Sequence, residues 1–129
     1  MESHEDKTVK FDRVGLFRLD VLFTHPIVIG DEAELAVLPA MMYKPDKWNG
    51  MNDRLFYGRR DFAEVWATHR FTASTNYIKW QQETFPQSTR RGLHSEDFVR
   101  YLTTVYGRMP LKIKDFCFKR LRSNGNVLD

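Results

Sequence analysis

Four small groups of side chains hold most of the chemistry available to this chain: Arg18 with Asp20, Asn52-Asp53-Arg54, His94-Ser95-Glu96, and Arg120 with Arg122. The second group is the densest. It lies within Trp48-Asn49-Gly50-Met51-Asn52-Asp53-Arg54-Leu55-Phe56-Tyr57-Gly58, where amide, carboxylate and guanidinium groups stand between two glycines and run into an aromatic stretch. Glycine opens backbone conformations closed to other residues and lets a ligand approach the main chain, so this is a composition for gripping something polar. A plainer reading competes with it, in which Asn49-Gly50 is a hairpin turn and Asp53-Arg54 a surface ion pair. Arg120 and Arg122 alternate onto one strand face, where guanidinium groups could clamp phosphate oxygens through paired hydrogen bonds or stand as ordinary solvated charges. Glu96 is either a base or an acid placed in a first helical turn, where the dipole favours it.

The elements that must position these groups are read from periodicity. Val14 to Phe23 reads as one strand rich in branched and aromatic residues. Its period of two would put Arg18 and Asp20 on one face with Val14, Leu16 and Leu22, and charges on an apolar face are normally paired or used. Leu35 to Met41 reads as a second strand, although Glu32-Ala33-Glu34-Leu35-Ala36 could equally start a helix. Asp53 to Tyr57 reads as a third. Arg60 then begins a helix whose positions Phe62, Val65, Trp66 and His69 follow helical spacing, which assigns His69 to packing rather than to a metal. A further helical stretch runs from Ser74 to Phe85. Ser95 is a natural N-cap for a helix reaching Tyr106 and closed by Gly107, with Phe98, Tyr101, Leu102 and Val105 as its buried stripe. Leu111 to Leu121 alternates as a last strand before the turn Ser123-Asn124-Gly125-Asn126. This order predicts an α/β fold, a mixed sheet covered by helices, occupying residues 11–129 as a single domain behind a mobile tail at residues 1–10.

Composition narrows the partners. The chain has 129 residues, 42% of them hydrophobic, enough for one domain with a real core. A net charge of +3, spread along the sequence, gives mild attraction to anions and no polybasic surface. Cys117 has no cysteine partner and reads as a small buried hydrophobe. The four histidines lie far apart without cysteine company, which argues against zinc. No stretch approaches the ~20 apolar residues of a membrane span, and the charged start Met1-Glu2-Ser3-His4-Glu5-Asp6-Lys7 has no signal-peptide core behind it. The expectation is a soluble, cytoplasmic protein.

Arg18-Leu19-Asp20, then Gly50-Met51-Asn52-Asp53-Arg54-Leu55-Phe56-Tyr57-Gly58, then Ser95-Glu96, then Phe118-Lys119-Arg120-Leu121-Arg122-Ser123-Asn124-Gly125 follow one another in an order that resembles the carboxyl-terminal part of GT-A-fold glycosyltransferases linked to surface glycan synthesis. The resemblance spans about residues 14–126, and each motif is short, so order and spacing carry it. It implies transfer of a sugar from a nucleotide-diphosphate donor to a glycan or other hydroxyl acceptor. It implies Asp20 as the donor-ribose carboxylate or as ligand of a divalent Mn²⁺ or Mg²⁺ held mainly through donor phosphates, with Arg18 helping to balance the diphosphate. Asp53 would sit near the acceptor, either orienting a hydroxyl or acting as the catalytic base, with Glu96 as the competing base. Asn52 and Arg54 would hold sugar hydroxyls, and Arg120 and Arg122 the leaving diphosphate. Members of that group carry a nucleotide-binding βαβ portion ahead of the acidic motif. Its absence before Arg18 leaves three expectations: a fragment, a partner chain that supplies the missing part, or a reduced relative without transfer activity.

Readings from other classes remain beside this one. Lys112, Lys114, Lys119, Arg120 and Arg122 interleave with Phe116 and Phe118, as in modules that bind single-stranded nucleic acid. Trp48, Tyr57 and Trp66 could instead serve a noncatalytic interaction domain.

Overall fold

The computed structural model describes residues 10–40, 50–87 and 92–128. The readings placed on Trp48, Asn49, Met41 and residues 1–9 lie outside the described residues. The fold is mixed α/β. Its elements are β1 (Arg13–Phe17), β2 (Val21–Phe23), a 3₁₀ turn (Asp31–Glu34), β3 (Ala36–Pro39), β4 (Leu55–Arg59), α1 (Arg60–Thr68), α2 (Arg70–Thr84), α3 (Ser95–Arg100) continuing as a π-helical segment (Tyr101–Tyr106), β5 (Leu111–Lys114), β6 (Phe118–Leu121) and β7 (Val127–Leu128).

The main sheet has strand order β1-β4-β3-β5. β1 and β3 each run antiparallel to β4, while β3 and β5 run parallel, so the sheet is mixed. All four residues of β3 are buried, as a strand flanked on both sides and covered on both faces requires. Alternation along β4 splits the core in two. Phe56 faces the helices and stacks on Trp66 of α1 at 4.9 Å between ring centroids. Leu55 and Tyr57 face the other way and pack with Ala33, Val37, Phe23 and Phe116. That second face is covered by the 3₁₀ turn and by a small antiparallel sheet, β2-β6-β7, whose Phe23 and Phe118 meet edge to face at 6.1 Å. At Gly58 a Cβ would stand 2.2 Å from the carbonyl oxygen of Leu35, so only glycine lets β4 lie this close to the entry of β3.

Two segments read as single strands are broken, each by a crossover between sheets. Val14 to Phe23 parts at Arg18-Leu19-Asp20, where Leu19 is 99% exposed; β1 stays in the main sheet and β2, carrying Leu22, joins the small one. Leu111 to Leu121 parts at Asp115-Phe116-Cys117. Phe116 turns to the ring of Tyr57 and Phe118 to that of Phe23, so the chain passes from one sheet to the other. Cys117, expected to be buried, is exposed in that crossover, with its carbonyl accepting from the Thr24 amide.

The helices are closer to expectation. α2 starts earlier than Ser74, at Arg70, because the chain stays helical through His69: the Ala73 amide donates to the His69 carbonyl. His69 is a packing residue, its Nδ1 3.2 Å from the Tyr106 hydroxyl. Ser95 is the first residue of α3 rather than its cap, the cap position being held by His94. The wider turn after Tyr101 rotates Val105 out of the expected stripe, to 40% exposure. Gly107 does close the helix. Its amide reaches back to the Leu102 carbonyl, and a Cβ there would lie 2.8 Å from that oxygen.

Candidate functional site

The turn between β1 and β2, the segment entering β4 and the first turn of α3 converge at one end of the β1–β4 pair. The pairing of Phe17 with Leu55 continues outward through a hydrogen bond from the Arg18 amide to the Arg54 carbonyl, which sets Arg18 beside Asp53 and Arg54. Arg18 binds Asp20 with a fork: Nε lies 2.8 Å from Oδ1 and Nη2 2.5 Å from Oδ2. Its Nη1 lies 3.1 Å from both oxygens of Asp53. Arg54 Nη1 stands 3.4 Å from Asp53 Oδ1 and 2.5 Å from Glu96 Oε1. Arg18 and Asp20 therefore come together, as expected, though through a turn rather than through strand alternation.

Asn52 has a different place from the one expected. It is 2% exposed, its amide nitrogen donates to the Ala40 carbonyl and its oxygen accepts from the Arg54 amide. Both ends of the side chain are thus engaged with main chain, and Asn52 fixes the bend that presents Asp53 and Arg54. The Met51 amide donates to the Glu96 carbonyl, which ties the same bend to α3. Arg120 pairs in register with Val21, and the next amide, of Leu121, donates to the Asp20 carbonyl, so the β6 backbone adjoins the site. Arg122 lies beyond β6 in the turn closed by Gly125.

The network runs from solvent inward. The side chains of Arg18 and Asp20 are 42% and 45% exposed, whereas those of Asp53, Arg54 and Glu96 are 10%, 12% and 15% exposed. Hydrogen bonding from Arg18 holds the Asp20 carboxyl below its usual range, and Asp20 in turn raises the guanidinium of Arg18. Asp20, Asp53 and Glu96 face Arg18 and Arg54. Arg70, whose Nε donates to the Trp66 carbonyl, is pushed below its ordinary value by burial and partly back up by the charge of Asp53. Arg70 holds no role in the sequence reading, since it stands between the helix read through His69 and the stretch read from Ser74. Its spacing of four from Trp66, which lets the guanidinium lie over the indole, was the available signal.

A divalent cation can be tested against these donors. Arg18 occupies the space between Asp20 and Asp53, so the two carboxylates do not form a shared cage, and among the described residues no cluster of three His, Cys, Asp or Glu side chains could hold a metal. Asp20 is half-exposed and both of its oxygens accept from Arg18, so it offers at most one protein ligand to a hard cation.

Two further charged places lie elsewhere. Under the main sheet, Lys114 Nζ contacts Glu32 Oε1 at 2.5 Å and the Val28 carbonyl at 2.7 Å, while the Tyr57 hydroxyl donates to Glu32 at 2.7 Å. Lys114, Phe116 and Phe118 of the basic and aromatic stripe are therefore engaged in internal contacts. At the far end of the β1–β4 pair, an open depression of about 410 Å³ is lined by Asp12, Arg13, Arg59, Arg60, Asp61 and Glu64, of mixed sign. Among the described residues no helix is long and apolar enough to cross a membrane. Compared with known proteins, the chain matches no family model, no curated protein and no solved structure.

Proposed function

We propose that this domain is a glycosyltransferase-like unit, built like the distal half of a GT-A domain, which moves a sugar from a nucleotide-diphosphate donor to a hydroxyl acceptor. One observation supports the reading above the others: Arg18-Asp20, Asp53-Arg54 and Glu96, distant in sequence, meet in a single ion-paired network at one end of the sheet. In the proposed reaction the acceptor oxygen attacks the anomeric carbon, the bond from that carbon to the diphosphate oxygen breaks with its electron pair leaving on the diphosphate, and the acceptor proton passes to a carboxylate. Asp53 is the base in this scheme. Its Oδ1 receives both Arg18 and Arg54 while Oδ2 receives Arg18 alone, so Oδ2 has room for an acceptor hydroxyl. Glu96, fixed by Arg54, positions that guanidinium and is the second candidate base. Asp20 would hold a divalent cation, which when bound supplies positive charge to the departing diphosphate. The test is a thermal-shift series with uridine and guanosine diphosphate sugars, with and without Mn²⁺, since a ligand that binds only the folded state raises the melting temperature. A metal-dependent rise for one donor is expected. No rise with any donor would overturn the reading for this chain.

A further inference from the structure

We infer that the outer face of the small sheet is a docking surface for an anionic lipid bilayer, an inference that does not depend on the sugar-transfer reading. Register places the side chains. β2 and β6 pair Leu22 with Lys119, and β6 and β7 pair Leu121 with Val127, so alternation sets these four residues on one side of the sheet. The other side carries Phe23 and Phe118, which meet edge to face and pack toward the core. Leu22, Leu121 and Val127 are all exposed, an aliphatic patch left open where the opposite side is packed. At its corner, where the Leu121 amide donates to the Asp20 carbonyl, the turn into β2 adds the almost fully exposed Leu19. Cys117, two residues before Lys119, is exposed on the same side, where the ladder is extended by the Thr24 amide donating to the Cys117 carbonyl.

The charge of this sheet is one-sided. In a chain of 20 basic and 17 acidic side chains, the run 116–128 holds Lys119, Arg120 and Arg122 and no acid, and β2 holds none either. Asp20, which precedes β2, is matched by the fork from Arg18. Aliphatic side chains interleaved with lysine and arginine suit a surface that offers hydrocarbon beneath a layer of phosphate: the leucines enter the acyl boundary, while the Lys119 stem lies beside them and its ammonium reaches the headgroups. A protein partner would instead favour aromatic residues and disfavour lysine at the centre of the contact. A nucleic-acid strand would need exposed rings to stack on, and here the rings of Phe23 and Phe118 are turned toward the core.

The experiment is co-sedimentation of the full chain with vesicles, either phosphatidylcholine alone or an equal mixture of phosphatidylcholine and phosphatidylserine. The proteins are the wild type, Leu22→Ser with Leu121→Ser, Lys119→Gln with Arg122→Gln, and Phe71→Ser, which removes an almost fully exposed ring on α2. The wild type is expected to bind the mixed vesicles about tenfold or more tightly than the neutral ones, and to lose about tenfold or more of that affinity in either double variant. Phe71→Ser should bind as the wild type does. Should the leucine variant melt early, a label on the wild type decides. Cys117 is the only cysteine of the chain, and an environment-sensitive dye attached there should brighten with mixed vesicles and become shielded from iodide. A dye that stays open to iodide while the protein is vesicle-bound overturns the inference. So do a wild type that ignores mixed vesicles, wild-type affinity in a folded leucine variant, and an equal loss in Phe71→Ser. A dimer that forms without lipid and is dissolved by the leucine substitutions, or a polyuridine strand held through Lys119 and Arg122, in either case with no vesicle binding, would name a different partner and overturn it too.

Discussion

Arg54 Nη1 lies 2.5 Å from Glu96 Oε1 across 42 residues of sequence, in surroundings that leave both side chains mostly buried. This contact fastens the first turn of α3 to the strand entry that carries Asp53. Replacing Glu96 by Gln removes the charge but keeps a hydrogen-bonding group, and should lower stability by about 1.5 to 3 kcal/mol, the range for hydrogen bonds to charged groups. A double substitution, Arg54→Met with Glu96→Leu, should recover most of it, because two matched apolar groups need no counter-charge. Urea midpoints would show both effects. An unchanged midpoint for Glu96→Gln would mean that the pair adds no net stability.

Asp53→Asn should leave the fold intact and lower sugar transfer by about a hundredfold or more, the scale of a lost general base. Far-ultraviolet circular dichroism and a transfer assay with the donor found by thermal shift give the two readouts. Full activity in the variant would move the role of base to Glu96.

Asp20→Ala should remove the metal dependence of donor binding while leaving the metal-free affinity within about twofold, since Asp20 would touch the donor only through the cation. The comparison is a melting-temperature series with donor at increasing Mn²⁺. Metal dependence that survives the substitution would exclude Asp20 as ligand.

Glu32 predicts a pH effect away from the site. Its carboxyl is held down to about 2 from an ordinary 4.5, first by the hydrogen bond from Lys114 and then by that from Tyr57. A folded-state value below the unfolded one contributes stability above the unfolded value and loses it as the proton goes on. The contribution is therefore complete above about pH 4.5 and fades as pH falls toward 2. Over that window the wild type should lose more melting temperature than Glu32→Gln. Parallel curves would show that the cluster is neutral toward folding.

Gly58→Ala should be among the most damaging single-methyl changes in the chain. The new Cβ would meet the Leu35 carbonyl oxygen at 2.2 Å, and that atom is backbone between two packed strands. A loss of about 2 kcal/mol or more is expected, measured by denaturant midpoint. A midpoint like that of the wild type would mean that β3 and β4 can separate without penalty.

The sequence was legible where local pattern and tertiary contact agree. The helical spacing of Phe62, Val65 and Trp66 forecast α1 because Trp66 packs directly on the neighbouring strand, and His69 was assigned to packing for the same reason. The approach of Arg18 to Asp20 was foreseen with the wrong mechanism: alternation can put two side chains on one face, but it cannot see that a strand leaves its sheet between them. The same blindness joined β5 to β6, since Leu111 to Leu121 alternates without interruption while its hydrogen-bond partners change from β3 to β2. Asn52 looked like a ligand-binding amide because sequence does not reveal that both its ends are taken by Ala40 and Arg54.

The two crossovers, at Arg18-Leu19-Asp20 and at Asp115-Phe116-Cys117, stitch the small sheet to the large one at two separate seams. The small sheet therefore cannot peel away alone. The Leu121 amide of β6 donates to the Asp20 carbonyl, so the small sheet shares a backbone contact with the turn that carries the Arg18 fork. Hydrogen exchange at the Leu121 amide would record how often that backbone contact between β6 and the charged turn opens.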